Sequence, residues 1–366
     1  MTYPFIKGLD LSEIFYQEAV RPILAQSFPN LAYSAALIGP GSEVLGFDDP
    51  QSMDHDWGPR LMLFLSEEQH ATCRERIDQA LRHALPLTIH GIPTDLANAN
   101  SSDDKPGAPS REGGVNHSVA ILTVRCFFSF MLKADPDREL RPIDWLAVPE
   151  QFLRSLTAGR VFHDGLGQLE PIRARLRYYP HDIWLYLLAC QWRRIAQEEH
   201  FMGRCGQLGD ELGSRLVAAR LVRDLMRLCF LMERQYAPYI KWLGTAFQDL
   251  ECAGRLTPIL TRILAAGTWE ERQEYLVRAY ECAAGLHNAL GITAAQDPKV
   301  RPFYGRPFLV SAADRFVTAI RAAIADPEIL ALPEHLGAFE QFIDSTDALS
   351  NPQVFDRIKE LYQREV

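Results

Sequence analysis

Two carboxylates, Asp54 and Asp56, flank His55 downstream of a Gly41–Ser42 pair, in the stretch GPGSEVLGFDDPQSMDHDWGPRLMLFL. If the aspartates open a strand, their i, i+2 spacing turns both side chains to one face and His55 to the other. Like charges side by side repel unless a cation lies between them. Such a pair suits Mg²⁺, which is held by one or two carboxylates together with substrate phosphates. Gly41 and Ser42 follow the apolar run LAYSAALIG and can offer backbone N–H groups and a hydroxyl to a phosphate. A plain turn and two solvated acids at a strand start account for the same residues.

The order Gly-Ser, short spacer, Asp-x-Asp resembles the motif of the nucleotidyltransferase superfamily, the fold of DNA polymerase β and the aminoglycoside nucleotidyltransferases. The matching residues are Gly41, Ser42, Asp54 and Asp56. The stretches DHDWGPRL, GRVFHDGLGQL, GDELGSRL, YAPYIKWLGTAF and DSTD are similar to an uncharacterised bacterial family within that superfamily. The resemblance implies a Mg²⁺-dependent enzyme that moves a nucleoside monophosphate, AMP from ATP, to a hydroxyl or phosphate of a small molecule. Asp54 and Asp56 would ligate metal, and Gly41 and Ser42 would hold phosphates at a helix N-terminus. Two alternatives stay open: a toxin-type transferase acting on a protein or tRNA, and a catalytically degenerate nucleotide-binding regulator.

The superfamily places a third acid on the next central strand. Here that strand, VNHSVAILTV, has none, and His117 is its only titratable side chain. Imidazole titrates near neutrality and suits a general base, although a core or edge histidine fits as well. Glu112 and the pair Asp210–Glu211 are other candidates, the pair reading equally as a helix N-cap. Asp48 and Asp49 read as a solvated turn. In ERQYAPYIKWLGTAF, Arg234 and Lys241 suit phosphate oxygens, as a bidentate fork and a point charge. Tyr236, Tyr239 and Trp242 suit ring stacking or core packing, and the i, i+3 spacing of Tyr239 and Trp242 predicts a shared helical face. Arg301 and Arg306 in RPFYGRPF, and Asp344 and Asp347 in DSTD, fit a site or ordinary turns. His287–Asn288 reads as a helix C-cap.

The chain has 366 residues, 47% of them hydrophobic, and a formal charge of -9. That length supports two domains, and the acidic balance disfavours long nucleic acid as a partner. The seven scattered cysteines, with no CxxC pair, fit reduced thiols in a cytoplasmic protein. The N-terminus lacks a signal-peptide pattern, and no apolar run is long enough to span a membrane. No P-loop, HExxH or GxSxG sequence is present. Expected partners are a nucleoside triphosphate and a small acceptor, with the oligomeric state left open.

The elements that must position these residues follow from periodicity. A helix is expected over 9–26, a strand over 31–39, and a second strand running out of the aspartate pair through GPRLMLFL. A helix over 66–84 opens with a Ser-x-x-Gln cap. PLTIHGIP reads as a short strand and 98–114 as a loop. A strand over 115–124 leads into a short helix, and a hairpin or strand-turn is expected around Asp164-Gly165, which the resemblance implies is a closing edge strand. After Pro180 the periodicity is helical throughout. The fold class expected is α+β: a mixed sheet with helices over 1–175, then an α-helical bundle over 176–366.

Overall fold

Residues 4–54, 57–95 and 114–363 are described by a computed structural model. The chain is α+β and mostly helical, with a small mixed sheet. It divides into two compact units, Met1–Glu139 with Phe152–Arg177, and Leu140–Gln151 with Tyr178–Val366.

The first unit opens with a helical stretch in three parts: α1 (Gly8–Phe15), a π turn (Tyr16–Val20) and α2 (Arg21–Ser27). Pro22 accounts for the break. It has no N–H for the preceding turn, and its ring crowds that turn's carbonyl, so the hydrogen bonding widens just before it. There follow β1 (Tyr33–Leu37), β2 (Arg60–Leu65), α3 (Glu67–Ala84), a hairpin of β3 (Thr88–Ile89) and β4 (Ile92–Pro93), β5 (Ser118–Thr123) and α4 (Val124–Leu132). After α5 (Pro142–Ala147) and α6 (Glu150–Thr157), β6 (Arg160–Asp164) and α7 (Leu169–Arg175) complete it. Ser66 caps α3 by accepting from Gln69 N at 3.2 Å, as the Ser-x-x-Gln pattern anticipates.

The main sheet has the order β5-β2-β1-β6. β1 is antiparallel to β2 and β6, and β2 runs parallel to β5. Alternate residues of β2 and β5 (Leu61, Leu63, Leu65, Val119, Ile121) bury one face against Leu11, Phe15 and Leu24 of the first helices and Ile77 and Leu81 of α3. On the other face Phe64 meets Phe127 edge-on at 5.6 Å. This two-residue alternation is what a sheet covered on both faces requires. Arg60 lies beside Ser118, and Leu37 lies opposite Arg160. The end of β1 and the starts of β2, β5 and β6 therefore share one end of the sheet.

The second unit is built from α5, α8 (His181–Glu198), α9 (Phe201–Gln207), α10 (Glu211–Met232), α11 (Ile240–Phe247), α12 (Ala253–Ala265), α13 (Trp269–Ala289) and α14 (Asp314–Arg321), with shorter helices after it. A hairpin of β7 (Arg301–Pro302) and β8 (Leu309–Val310) precedes α14. α8 is buried on every face over Ile183–Trp192, with polar residues at both ends. Its Trp192 stacks on Phe316 at 4.2 Å. Among the described residues no helix is long and apolar enough to cross a membrane.

Candidate functional site

The small-residue turn leaves β1 through Gly39 and Gly41, both with positive φ. Ser42–Gly46 is a turn closed by Phe47 N on Ser42 O (2.9 Å), and it does not continue as the helix expected to hold phosphate. Gly46, at φ 78°, takes the chain out of helical geometry after that single turn. Arg60, the first residue of β2, reaches back to this turn. Its Nη2 donates to Pro40 O at 3.0 Å and pairs with the Glu43 carboxylate. Gly41 has φ 144°, which strains any L side chain, and a Cβ there would also push aside the ends of Arg60 and Glu43. Burial lowers the Arg60 pKa, and its buried Nε has no protein partner. The end of β1 is thus joined to the start of β2 by a guanidinium held between Pro40 O and the Glu43 carboxylate.

Asp54 is placed differently from the expectation. Pro50–Asp54 forms a 3₁₀ turn, and the strand starts only at Arg60, so Asp54 is not a strand residue. Two local causes act. Asp49 Oδ1 accepts from Gln51 N (2.9 Å) and Ser52 N (3.2 Å), which starts the turn. Pro59 has no N–H to give to a ladder, so pairing begins after it. The side chain of Asp54, all of His55 and Asp56, and Glu112 lie outside the described residues. Among the described residues no group of three His, Cys, Asp or Glu is arranged to hold a metal.

Asp48 is not solvated. It is buried, and it accepts from Gly8 N at 2.7 Å and Lys7 Nζ at 3.2 Å, so it satisfies the first turn of α1. His117 forms an isolated bridge with Asp95 just before β5, and its side chain is almost fully buried. Nδ1 accepts from Val119 N at 3.2 Å, and Nε2 lies 3.4 Å from Asp78 O. Burial, opposed by Asp78, lowers its pKa. Both nitrogens are engaged within the fold, so His117 is not placed to act as the general base.

Arg234, Tyr239 and Lys241 belong to the second unit, whereas Gly41, Ser42, Asp54, Asp56 and His117 belong to the first. Arg234 has φ 51° and lies over the Trp184 ring at 4.0 Å. Lys241 lies over the Trp242 ring at 4.8 Å. Tyr239 is the extended N-cap of α11, with its N–H on Gln151 Oε1 (3.1 Å), so it shares no helical face with Trp242. Pro238 biases Ala237, the residue before it, to an extended conformation, so the chain reaches α11 from an extended segment. Tyr236 is buried against Tyr178 and Tyr179.

The remaining candidates have structural partners. Asp210 caps α10 through Gly213 N (2.8 Å), and Glu211 accepts from Trp269 N (3.0 Å) and Arg272. His287 is a buried residue inside α13 rather than a cap, and its Nδ1 accepts from Trp192 Nε1 at 3.3 Å. Arg301 pairs with Asp297, and Asp344 with Arg223. Arg306 lies in the loop between β7 and β8. Ser345, in the DSTD stretch, caps the short helix holding Asp347.

Sequence reasoning missed Glu43 and Arg60, although both lie inside the stretch that carries the resemblance. It also missed a cleft of about 440 Å³ at the opposite end of the sheet, lined by Ser66, Thr123, Arg125, Gln168 and Arg175 among others. Arg125 there is already paired with Asp135 at 3.1 Å.

A family model described as a domain of unknown function, DUF4037, matches residues 145–243. That span holds Arg234, Tyr239 and Lys241 but not Gly41, Ser42 or the aspartates. No curated protein and no solved structure matches the chain.

Proposed function

We propose that the first unit binds a nucleoside triphosphate with Mg²⁺ and transfers its nucleoside monophosphate to a small acceptor. The observation that carries this reading is topological. The Gly41–Ser42 turn leaves β1 at the sheet end where the antiparallel β2, which follows the aspartates in sequence, begins. Arg60 adds a guanidinium to the same place. Carboxylate oxygens are the ligands Mg²⁺ prefers, so Asp54 and Asp56 suit the role by donor chemistry. The bound ion would neutralise charge on the transferring phosphoryl group. Gly41 lets the backbone approach a phosphate closely, and Arg60, held by Glu43, can orient an anionic oxygen.

One observation favours binding without turnover. β5 carries no carboxylate, and His117 is engaged within the fold. Calorimetric titration of ATP and GTP, with and without Mg²⁺, tests the site. Metal-dependent binding that Asp54→Asn/Asp56→Asn loses is the expected outcome. Equal binding by the double variant, or none by the wild type, would refute the reading. Pyrophosphate release in the presence of candidate acceptors then separates transfer from binding alone.

A further inference from the structure

The first half of α10 is apolar on two faces. Ser214, Ala218, Leu221 and Leu225 are buried in the bundle. Leu212 and Leu216, four residues apart, fall on the opposite face. They are 71% and 61% exposed, and Leu208, where α9 ends, is 67% exposed. A surface helix ordinarily turns its leucines to the core and its charges to water, so this row breaks the pattern. Other exposed large apolar side chains, such as Phe130, Ile240 and Leu330, stand singly, which is normal for a protein surface.

The charges flanking the row are cationic. At 3.6 residues per turn, Arg215 falls on one side of Leu212 and Leu216, and Arg220 on the other. Arg215 is exposed, and its Nη2 donates to a backbone oxygen, Gly267 O at 3.2 Å, rather than to a carboxylate. The Arg220 side chain is exposed too. Glu198 holds it through Nε at 2.9 Å and Nη2 at 2.5 Å, which leaves Nη1 over. Arg204, one turn before Leu208, is exposed and donates to Gln207 at 3.2 Å. The acids at the start of α10 are turned inward on their own unit, Asp210 to Gly213 N and Glu211 to Trp269 N and Arg272.

We propose that this row seats on an anionic lipid surface, with Leu208, Leu212 and Leu216 at the acyl boundary and Arg204, Arg215 and Arg220 on headgroup phosphates. Charge complementarity selects this occupant. Guanidinium groups pair with phosphate oxygens, and leucines flanked by arginines are the composition of helices that lie in a membrane interface. A second copy of the chain would bring the same arginines to the same seam, where like charges repel. A protein partner binds most tightly where a side chain fills a walled pocket, and leucines more than 60% exposed stand clear of their neighbours. A lipid surface needs no such walls. Among the described residues no helix is long and apolar enough to cross a membrane, so the contact is peripheral.

The test is co-sedimentation of the full chain with vesicles of mixed phosphatidylglycerol and phosphatidylcholine, against vesicles of phosphatidylcholine alone. Binding to the anionic vesicles that weakens with added salt is expected. Leu212→Ser/Leu216→Ser changes exposed positions only and is checked for an unchanged melting temperature. It should lower the vesicle affinity by about tenfold or more. Arg215→Gln should weaken binding to the anionic vesicles, whereas Ile240→Ser, at a singly exposed residue, should bind as the wild type does. No binding to the anionic vesicles, equal binding to the neutral ones, or unchanged binding by the leucine variant would each overturn the proposal. A dimeric mass in light scattering that the leucine variant halves would overturn it in favour of a second copy.

Discussion

Glu199 should make the second unit's stability fall as pH rises, and Glu199→Gln should remove that fall. The residue caps α8 and is buried, with its carboxylate accepting from Ala313 N at 3.2 Å and facing the N–H groups of Ser311 and Ala312. Burial raises its pKa from 4.5 to about 7, against those N–H groups and with a small push from Asp314. A raised carboxyl pKa means the folded state keeps a proton that the unfolded chain has released. The stabilisation is therefore complete below pH 4.5 and is lost as pH rises through about 7. The shift corresponds to about 3 kcal/mol at 1.36 kcal/mol per unit. His287 acts oppositely. Burial lowers its pKa from 6.5 to about 4, so its contribution is present above pH 6.5 and is lost as pH falls toward 4. The two slopes oppose one another between pH 4.5 and 6.5, and the wild-type profile should be nearly flat there. Urea unfolding followed by tryptophan fluorescence, with Trp192 stacked in this core, reads the difference directly. Glu199→Gln keeps the shape and stays neutral. Its stability relative to wild type should be unchanged at pH 4.5 and rise by about 3 kcal/mol above pH 7. Parallel profiles for the two proteins would refute the reasoning.

Two further substitutions test packing. Gly206→Ala would put a Cβ 2.1 Å from Trp269 Cγ and 2.3 Å from its Cβ. It should cost about 1–3 kcal/mol in urea unfolding, and a neutral result would mean that α9 can shift away from α13. Arg60→Ala removes the partner of buried Glu43. Because the Arg60 side chain is 24% exposed, the loss should fall below the ~3–5 kcal/mol of a fully buried pair. The Arg60→Ala/Glu43→Ala double variant should lose less than the two single losses combined, and strict additivity would show that the pair is not coupled.

Local interactions made part of this protein legible in its sequence. Ser66 meets Gln69 within one turn, β2 alternates its apolar residues between two faces, and the helices after Pro180 follow their own periodicity. Each rests on neighbours a few residues apart, where chain geometry alone sets the contact. Polarity by itself misled where packing intervened. Asp48 reads as a solvated turn residue, yet the fold brings it 40 positions back to Gly8 N. His117 reads as either a base or a core histidine, and the fold turns its nitrogens to Val119 and Asp78. The Glu43–Arg60 pair and the Glu199 contact with Ala313 across 114 positions have no local signature. The sequence by itself determined the α3 cap, the helices after Pro180 and the order of the Gly-Ser and Asp-x-Asp stretches, but not the 3₁₀ turn at Pro50–Asp54. Tertiary structure decided which charges are buried and which histidine nitrogens serve the fold, because burial and long-range contact exist only once the chain has closed on itself.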